Sequence, residues 1–119
     1  MCYRVSVVLL VILLIASGCK PAGNREPEIL LISAPDTVQS KTPFEIKLRV
    51  VDPENDIVRV RLDFGDSFVS EYSEFKPSGT IFSFAHVYTA TGDFNIYAYA
   101  EDSKGSYTGW RFLKRITVR

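Results

Sequence analysis

Three stretches of this chain alternate apolar and polar side chains with a period of two. Phe44, Ile46, Leu48 and Val50 are separated by Glu45, Lys47 and Arg49. Val58, Val60, Leu62 and Phe64 are separated by Arg59, Arg61 and Asp63, and Phe94, Ile96, Ala98 and Ala100 by Asn95, Tyr97 and Tyr99. Successive side chains of an extended strand point to opposite sides, so this pattern specifies strands with one dry face and one wet face. No segment from residue 28 onward carries the 3.6-residue period of a helix. Each sheet built from such strands has an apolar face that must be covered, and a second sheet is the economical cover.

Turn signals divide the rest of residues 28–119 at regular intervals. They are Ala34-Pro35-Asp36-Thr37, Asp52-Pro53-Glu54-Asn55-Asp56, Lys76-Pro77-Ser78-Gly79, Thr91-Gly92 and Ser103-Lys104-Gly105. Between them, Glu28–Ser33, Thr80–Tyr88 and Trp110–Val118 read as further strands. Residues 68–75 are mixed and read as an edge strand around Phe68 and Tyr72. Leu113 and Lys114 break the alternation of the last strand, so a bulge or kink is expected there. The expectation is an all-β domain: an immunoglobulin-like antiparallel sandwich of six to seven strands.

Composition narrows the function. Fourteen basic and fourteen acidic side chains give a formal net charge of zero, which supplies no electrostatic reason for a nucleic-acid partner. Two cysteines and one histidine disfavour a disulfide-dense scaffold, a four-cysteine zinc site and histidine-based metal catalysis.

The chain opens with Arg4, then an apolar run from Val5 to Ala16 interrupted only by Ser6. About a dozen residues are too few to span a bilayer, and a basic start before such a run reads as a secretory signal helix that is cleaved. Ala16-Ser17-Gly18-Cys19 resembles the lipobox of bacterial lipoproteins. The family usually has leucine where Ala16 stands. The resemblance implies removal of residues 1–18 and diacylation of Cys19, which would hold the protein on the outer side of a membrane, because each buried methylene contributes about 0.8 kcal/mol. Ordinary cleavage with a free thiol, or an uncleaved short anchor, are the alternatives. Residues 19–27 then read as the lipidated terminus and a polar linker, and 28–119 as the folded domain.

Val60-Arg61-Leu62-Asp63-Phe64-Gly65-Asp66, then His86-Val87-Tyr88, Gly92-Asp93-Phe94-Asn95-Ile96 and Glu101-Asp102, resemble a PKD (polycystic kidney disease) domain. Two positions depart from the family pattern: Leu62 replaces the usual tryptophan, and Ser67 replaces the glycine after Gly65-Asp66. Each marked residue has a structural reading. Asp63 and Asp66 close the turn around Phe64-Gly65, and Gly65 takes a left-handed conformation. His86 is a satisfied structural histidine. Tyr88, ahead of Gly92 and Phe94, forms a tyrosine corner. Asp102 caps the turn into Ser103–Gly105. An Asp-Phe-Gly triplet also marks protein kinases, but the phosphate loop and the catalytic His-Arg-Asp are missing.

Two sites remain open to function. Asp52, Glu54, Asn55 and Asp56, with Asp102, crowd oxygen donors together, and calcium is the cofactor such donors would take. A solvated acidic turn is the alternative, and apart from calcium no cofactor is expected. Tyr97 and Tyr99 share the outward side of one strand and suit a protein or glycan partner, or else pack under a neighbouring loop. Arg111, Lys114, Arg115 and Arg119 make a basic tail that leans on anionic head groups or guards a sheet edge. The resemblance implies a non-catalytic, extracytoplasmic binding or spacer module. A calcium-stabilised structural spacer is the alternative.

Overall fold

The computed structural model describes residues 23–119. The expected signal segment and Cys19 lie outside the described residues. Seven strands follow in order: β1 (Glu28–Ser33), β2 (Thr37–Val38), β3 (Phe44–Val51), β4 (Val58–Asp63), β5 (Ile81–His86), β6 (Gly92–Asp102) and β7 (Arg111–Val118). They form two sheets, a three-stranded one ordered β1-β3-β5 and a four-stranded one ordered β2-β7-β6-β4. This is the expected two-sheet sandwich.

The alternating positions fill the space between the sheets. Ile46, Leu48 and Val50 from β3 meet Val58, Val60 and Leu62 from β4 and Ile96, Ala98 and Ala100 from β6, all with no exposed surface. Phe64, Phe82, Tyr88, Ile116 and Val118 complete the core. Leu62, where the resembling family carries tryptophan, is itself fully buried.

Three local features differ from the expectation or refine it. Thr37 belongs to a strand and not only to a turn: β2 pairs with β7, and the pairing is parallel. In the β6–β7 ladder Ile96 faces Lys114 while Tyr97 faces Phe112, so Leu113 is the extra residue of a bulge.

The third difference concerns residues 68–76, which run beside β4 without becoming a regular strand. Their sequence holds a short repeat, Ser70-Glu71-Tyr72 and Ser73-Glu74-Phe75. Ser70 N–H donates to Leu62 O at 2.8 Å and Ser73 N–H to Val60 O at 2.9 Å. In return, Leu62 N–H donates to Ser70 Oγ at 2.9 Å and Val60 N–H to Ser73 Oγ at 3.0 Å. A hydroxyl thus replaces a backbone carbonyl once per repeat. Three residues of this strap match two of β4, which is why no period-two signal marks it. The strap covers a β4 edge that would otherwise offer unpaired groups to another chain.

Candidate functional site

The acidic loop and the end of β6 meet at one end of the sandwich. Asp52 follows β3, and its backbone N–H is held by Ser78 Oγ at 2.7 Å. Its Oδ2 accepts the N–H groups of Glu54 and Asp56, each at 3.0 Å, and Asn55 turns the chain at φ 61°. Asp102, at the end of β6, accepts from Lys104 N–H at 2.9 Å and Ser106 N–H at 3.0 Å. The result is that Asp52, Asp56 and Asp102 each place a carboxylate oxygen within 4.8 Å of the others. Of the five residues the sequence marks for a cation, these three converge. Glu54 turns away to pair with Arg25 at 2.7 Å, and Asn55 supplies the turn.

Burial makes this cluster electrostatically unusual. Asp52 is 4% exposed, and its Oδ1 is buried without a hydrogen-bond partner. Burial pushes its carboxyl above the usual range. Burial pushes Asp102 up as well, but hydrogen bonds from the Asn24 amide and from Ser106 N–H outweigh it and leave Asp102 low. Of the two, Asp52 is the carboxyl that binds a proton more tightly than usual. The donors are all oxygen, which suits a hard cation, and Asp52 Oδ1 is an acceptor with nothing to accept. Three converging carboxylates are donors of the kind calcium takes, although Asp56 also lies 3.6 Å from the Lys104 ammonium.

Asn24 is a member of this cluster that the sequence does not reveal. Its amide donates to both carboxylate oxygens of Asp102 at 3.0 Å. Its backbone carbonyl accepts from the Ser106 hydroxyl at 2.8 Å. Arg25 pairs with Glu54, Glu26 with Arg111 at 2.7 Å, and Pro27 is buried. The linker expected over 19–27 is thus docked against the domain from Asn24 onward. The basic tail is engaged too: Arg111 with Glu26, Lys114 with Asp36, and Arg115 with Asp93 at 3.1 Å.

The motif around Phe64 is a second polar cluster. Asp63 Oδ1 accepts Gly65 N–H at 2.9 Å, and Asp66 Oδ1 accepts Phe68 N–H at 3.2 Å. His86 Nε2 lies 2.7 Å from the other Asp66 oxygen, with its ring stacked 4.0 Å from Phe64. Tyr88 donates its hydroxyl to Phe64 O at 2.7 Å, packs between Phe44 and Phe94, and has its own acidity suppressed by burial. Gly65 sits at φ +83°, and a Cβ there would lie 2.6 Å from Asn95 O. Ser67, in place of the family's glycine, still adopts φ 74°. Gly92, at φ +136°, opens the strand that carries Phe94. Every polar group named here is committed to holding the turn or joining the sheets.

The outer side of the four-stranded sheet is aromatic. Tyr97 is 36% exposed and meets Phe112 edge-on, with centroids 5.8 Å apart. Tyr99 is half-buried, stacked on Tyr107 at 5.8 Å and edge-on to Trp110 at 5.3 Å. The two tyrosines thus have different surroundings. One is open, and the other is largely covered by the β6–β7 connection and the strap. Arg61 lies under the same rings, 4.7 Å from Tyr72, 5.6 Å from Tyr99 and 5.3 Å from Trp110. The Ser-Glu-aromatic repeat is the sequence signal for Tyr72 and Phe75. Arg61 reads in sequence only as a solvated strand position.

Known proteins are similar to this chain in sequence or in fold. Mouse and human VPS10 domain-containing receptor SorCS3 are each 40% identical to it over 62 residues. That segment is 50% of this chain and 5% of either receptor, so the chain spans about a twentieth of these curated relatives. Among solved structures, the PKD domain of an M14-like peptidase from a Thermoplasmatales archaeon superposes with a TM-score of 0.67 at 22% identity, covering 80% of this chain and 94% of that one. The CARDB domain of a Pyrococcus furiosus protein superposes with a TM-score of 0.55 at 15% identity, covering 79% and 96%. These two likenesses concern the fold. The PKD domain family model matches residues 30–114, and this chain therefore belongs to the PKD domain family, whose members are typically non-catalytic extracellular modules.

Proposed function

We propose that this chain is a lipid-anchored, extracytoplasmic, non-catalytic module that makes protein–protein or protein–carbohydrate contacts. Its family membership supports the module reading, and the lipobox resemblance at Ala16–Cys19 supports the anchor. The observation that carries the proposal is how the polar groups of the Phe64 motif are used. Asp63, Asp66, His86 and Tyr88 spend their hydrogen bonds on the turn, on each other and on the opposite sheet. Such a domain is a scaffold that presents surfaces. Five residue steps separate Cys19 from Asn24, which is docked on Asp102, so a fully extended chain would place that contact at most about 18 Å from an acylated Cys19. The test is the intact mass of membrane-extracted protein. Loss of residues 1–18 with added acyl mass on Cys19 is expected, and a Cys19→Ser variant should enter the aqueous fraction. Unmodified full-length chain recovered from that fraction would sink the anchor.

A second reading is favoured by one observation, the buried and partnerless Asp52 Oδ1 facing Asp56 and Asp102. Under it, calcium held by these carboxylates stabilises the loop end of the domain. Thermal unfolding with calcium and with chelator tests it: a higher midpoint in calcium is expected for the natural chain and not for Asp52→Asn.

A further inference from the structure

The outer face of the four-stranded sheet carries an arginine whose surroundings suit a carboxylate it does not have. Arg61 is enclosed by Tyr72, Tyr99 and Trp110, and its Nε is buried without an acceptor. Its neighbour Arg59, stacked on Tyr72 at 4.0 Å, pairs with Glu101 at 3.3 Å; Arg61 has no such ion pair among the described residues. Rings on several sides restrict where its guanidinium can go, which lowers the entropy lost when a partner binds. Tyr107 stacks on Tyr99 and Phe112 meets Tyr97 edge-on, and Trp110, Tyr107 and Phe112 are exposed by 42%, 60% and 60%. Tryptophan, tyrosine and arginine clustered on one face are the residues that dominate protein–protein binding energy. Phe112 adds an apolar anchor that offers no hydrogen bond to a sugar.

We infer that this face docks a protein segment that seats a carboxylate against Arg61 and apolar side chains against Trp110 and Phe112. The inference rests on the reading of the chain as a contact module and names its partner's chemistry. Charge complementarity decides the occupant: a half-exposed guanidinium with no ion-pair partner among the described residues, set in an aromatic frame, favours an acidic segment with aromatic neighbours over a neutral or basic one.

Trp110 is the chain's single tryptophan and reports on this face alone. The probe is a glutamate–tyrosine random copolypeptide, titrated while tryptophan emission is followed. Polyglutamate and polygalacturonate serve as comparisons. The full chain is used, in neutral phosphatidylcholine nanodiscs if it partitions into membrane and in buffer if it does not, so failure of the anchor leaves this readout intact. Saturable change in Trp110 emission with the copolypeptide is expected, at least about tenfold tighter than with either comparison polymer. Arg61→Gln should weaken it by about tenfold or more, the loss of one charge-assisted hydrogen-bonded contact. Phe112→Ser, which leaves Arg61 in place, should weaken it as well, and it decides the matter if Arg61→Gln does not fold. No saturable change, equal or tighter binding of polygalacturonate, or unaltered binding by the folded variants would each overturn the inference.

Discussion

The Tyr88 hydroxyl lies 2.7 Å from the Phe64 carbonyl oxygen and joins the end of β5's sheet to the end of β4's. Both residues are essentially buried, at 0% and 1% exposure. Removing the hydroxyl while keeping the ring leaves a buried carbonyl without its donor. Tyr88→Phe should therefore lower unfolding stability by about 1–3 kcal/mol. Urea titration checks this, with an unchanged slope showing that only stability has moved. A change too small to measure would mean that water reaches Phe64 and satisfies it.

Gly65 and Gly79 separate backbone strain from lack of space. Both hold positive φ, +83° and +90°, where an L side chain is strained. A Cβ at Gly79 meets nothing within 4 Å, whereas at Gly65 it meets backbone oxygen of Asn95 at 2.6 Å. Gly79→Ala should cost about 1–2 kcal/mol. Gly65→Ala should cost distinctly more, because a β6 backbone position must also shift. Equal losses in parallel denaturant titrations would show that the turn relaxes away from Asn95.

What the sequence disclosed and what it concealed have a common physical explanation. Strands β3, β4 and β6 are legible because each residue's orientation is set by its neighbour, and burial then dictates polarity. Tyr88 and the Gly65 turn are legible for the same reason, since local geometry demands particular residue types. The β4 strap is concealed because its hydrogen bonds come from serine side chains at a period of three. Asn24 is concealed because its partner Asp102 is 78 residues away, and nothing local marks a polar linker residue as docked. Arg61 alternates like any wet-face residue, and only the folded chain brings Tyr72 and Trp110 around it.

Acidity should act on this domain in two opposed ways. Asp52 is held above its ordinary value by burial, so the folded state binds its proton more tightly than the unfolded chain does. Its contribution grows as pH falls through the folded value towards about 3.9, the unfolded one. Asp102, Asp36, Glu54 and Asp93 are held low, Asp102 by Asn24 and Ser106 and the rest by hydrogen bonds to Lys114, Arg25 and Thr117. Their contribution is present above their unfolded values, about 4, and is lost as pH falls through the folded ones. In chelator, the stability difference between the natural chain and Asp52→Asn should therefore shift in favour of the natural chain on moving from pH 7 to about pH 4.5. If calcium binds these carboxylates, saturating calcium should shrink or abolish the shift, because the ion would occupy the site the proton would take. A difference that stays constant with pH in chelator would show that Asp52 is ionised without penalty.

Ser70 and Ser73 offer the most direct test of how β4 keeps its edge. Each hydroxyl accepts one β4 N–H, from Leu62 and Val60 respectively, and donates onward to the carbonyl of the next residue, Glu71 or Glu74, at 3.0 Å. Alanine at either position removes an acceptor from a part-buried N–H and should cost about 1 kcal/mol. The two sites are adjacent along the same edge, so the double variant should lose more than the sum of the singles as the strap peels away. Exposed N–H and carbonyl groups on β4 would then template strand addition by another copy. The double variant should accordingly show faster amide exchange at Val60 and Leu62 and a concentration-dependent rise in apparent mass. Exchange protection at those two amides equal to that of the natural chain would mean that the serine hydroxyls are dispensable and that the backbone bonds from Ser70 and Ser73 to β4 hold the strap by themselves.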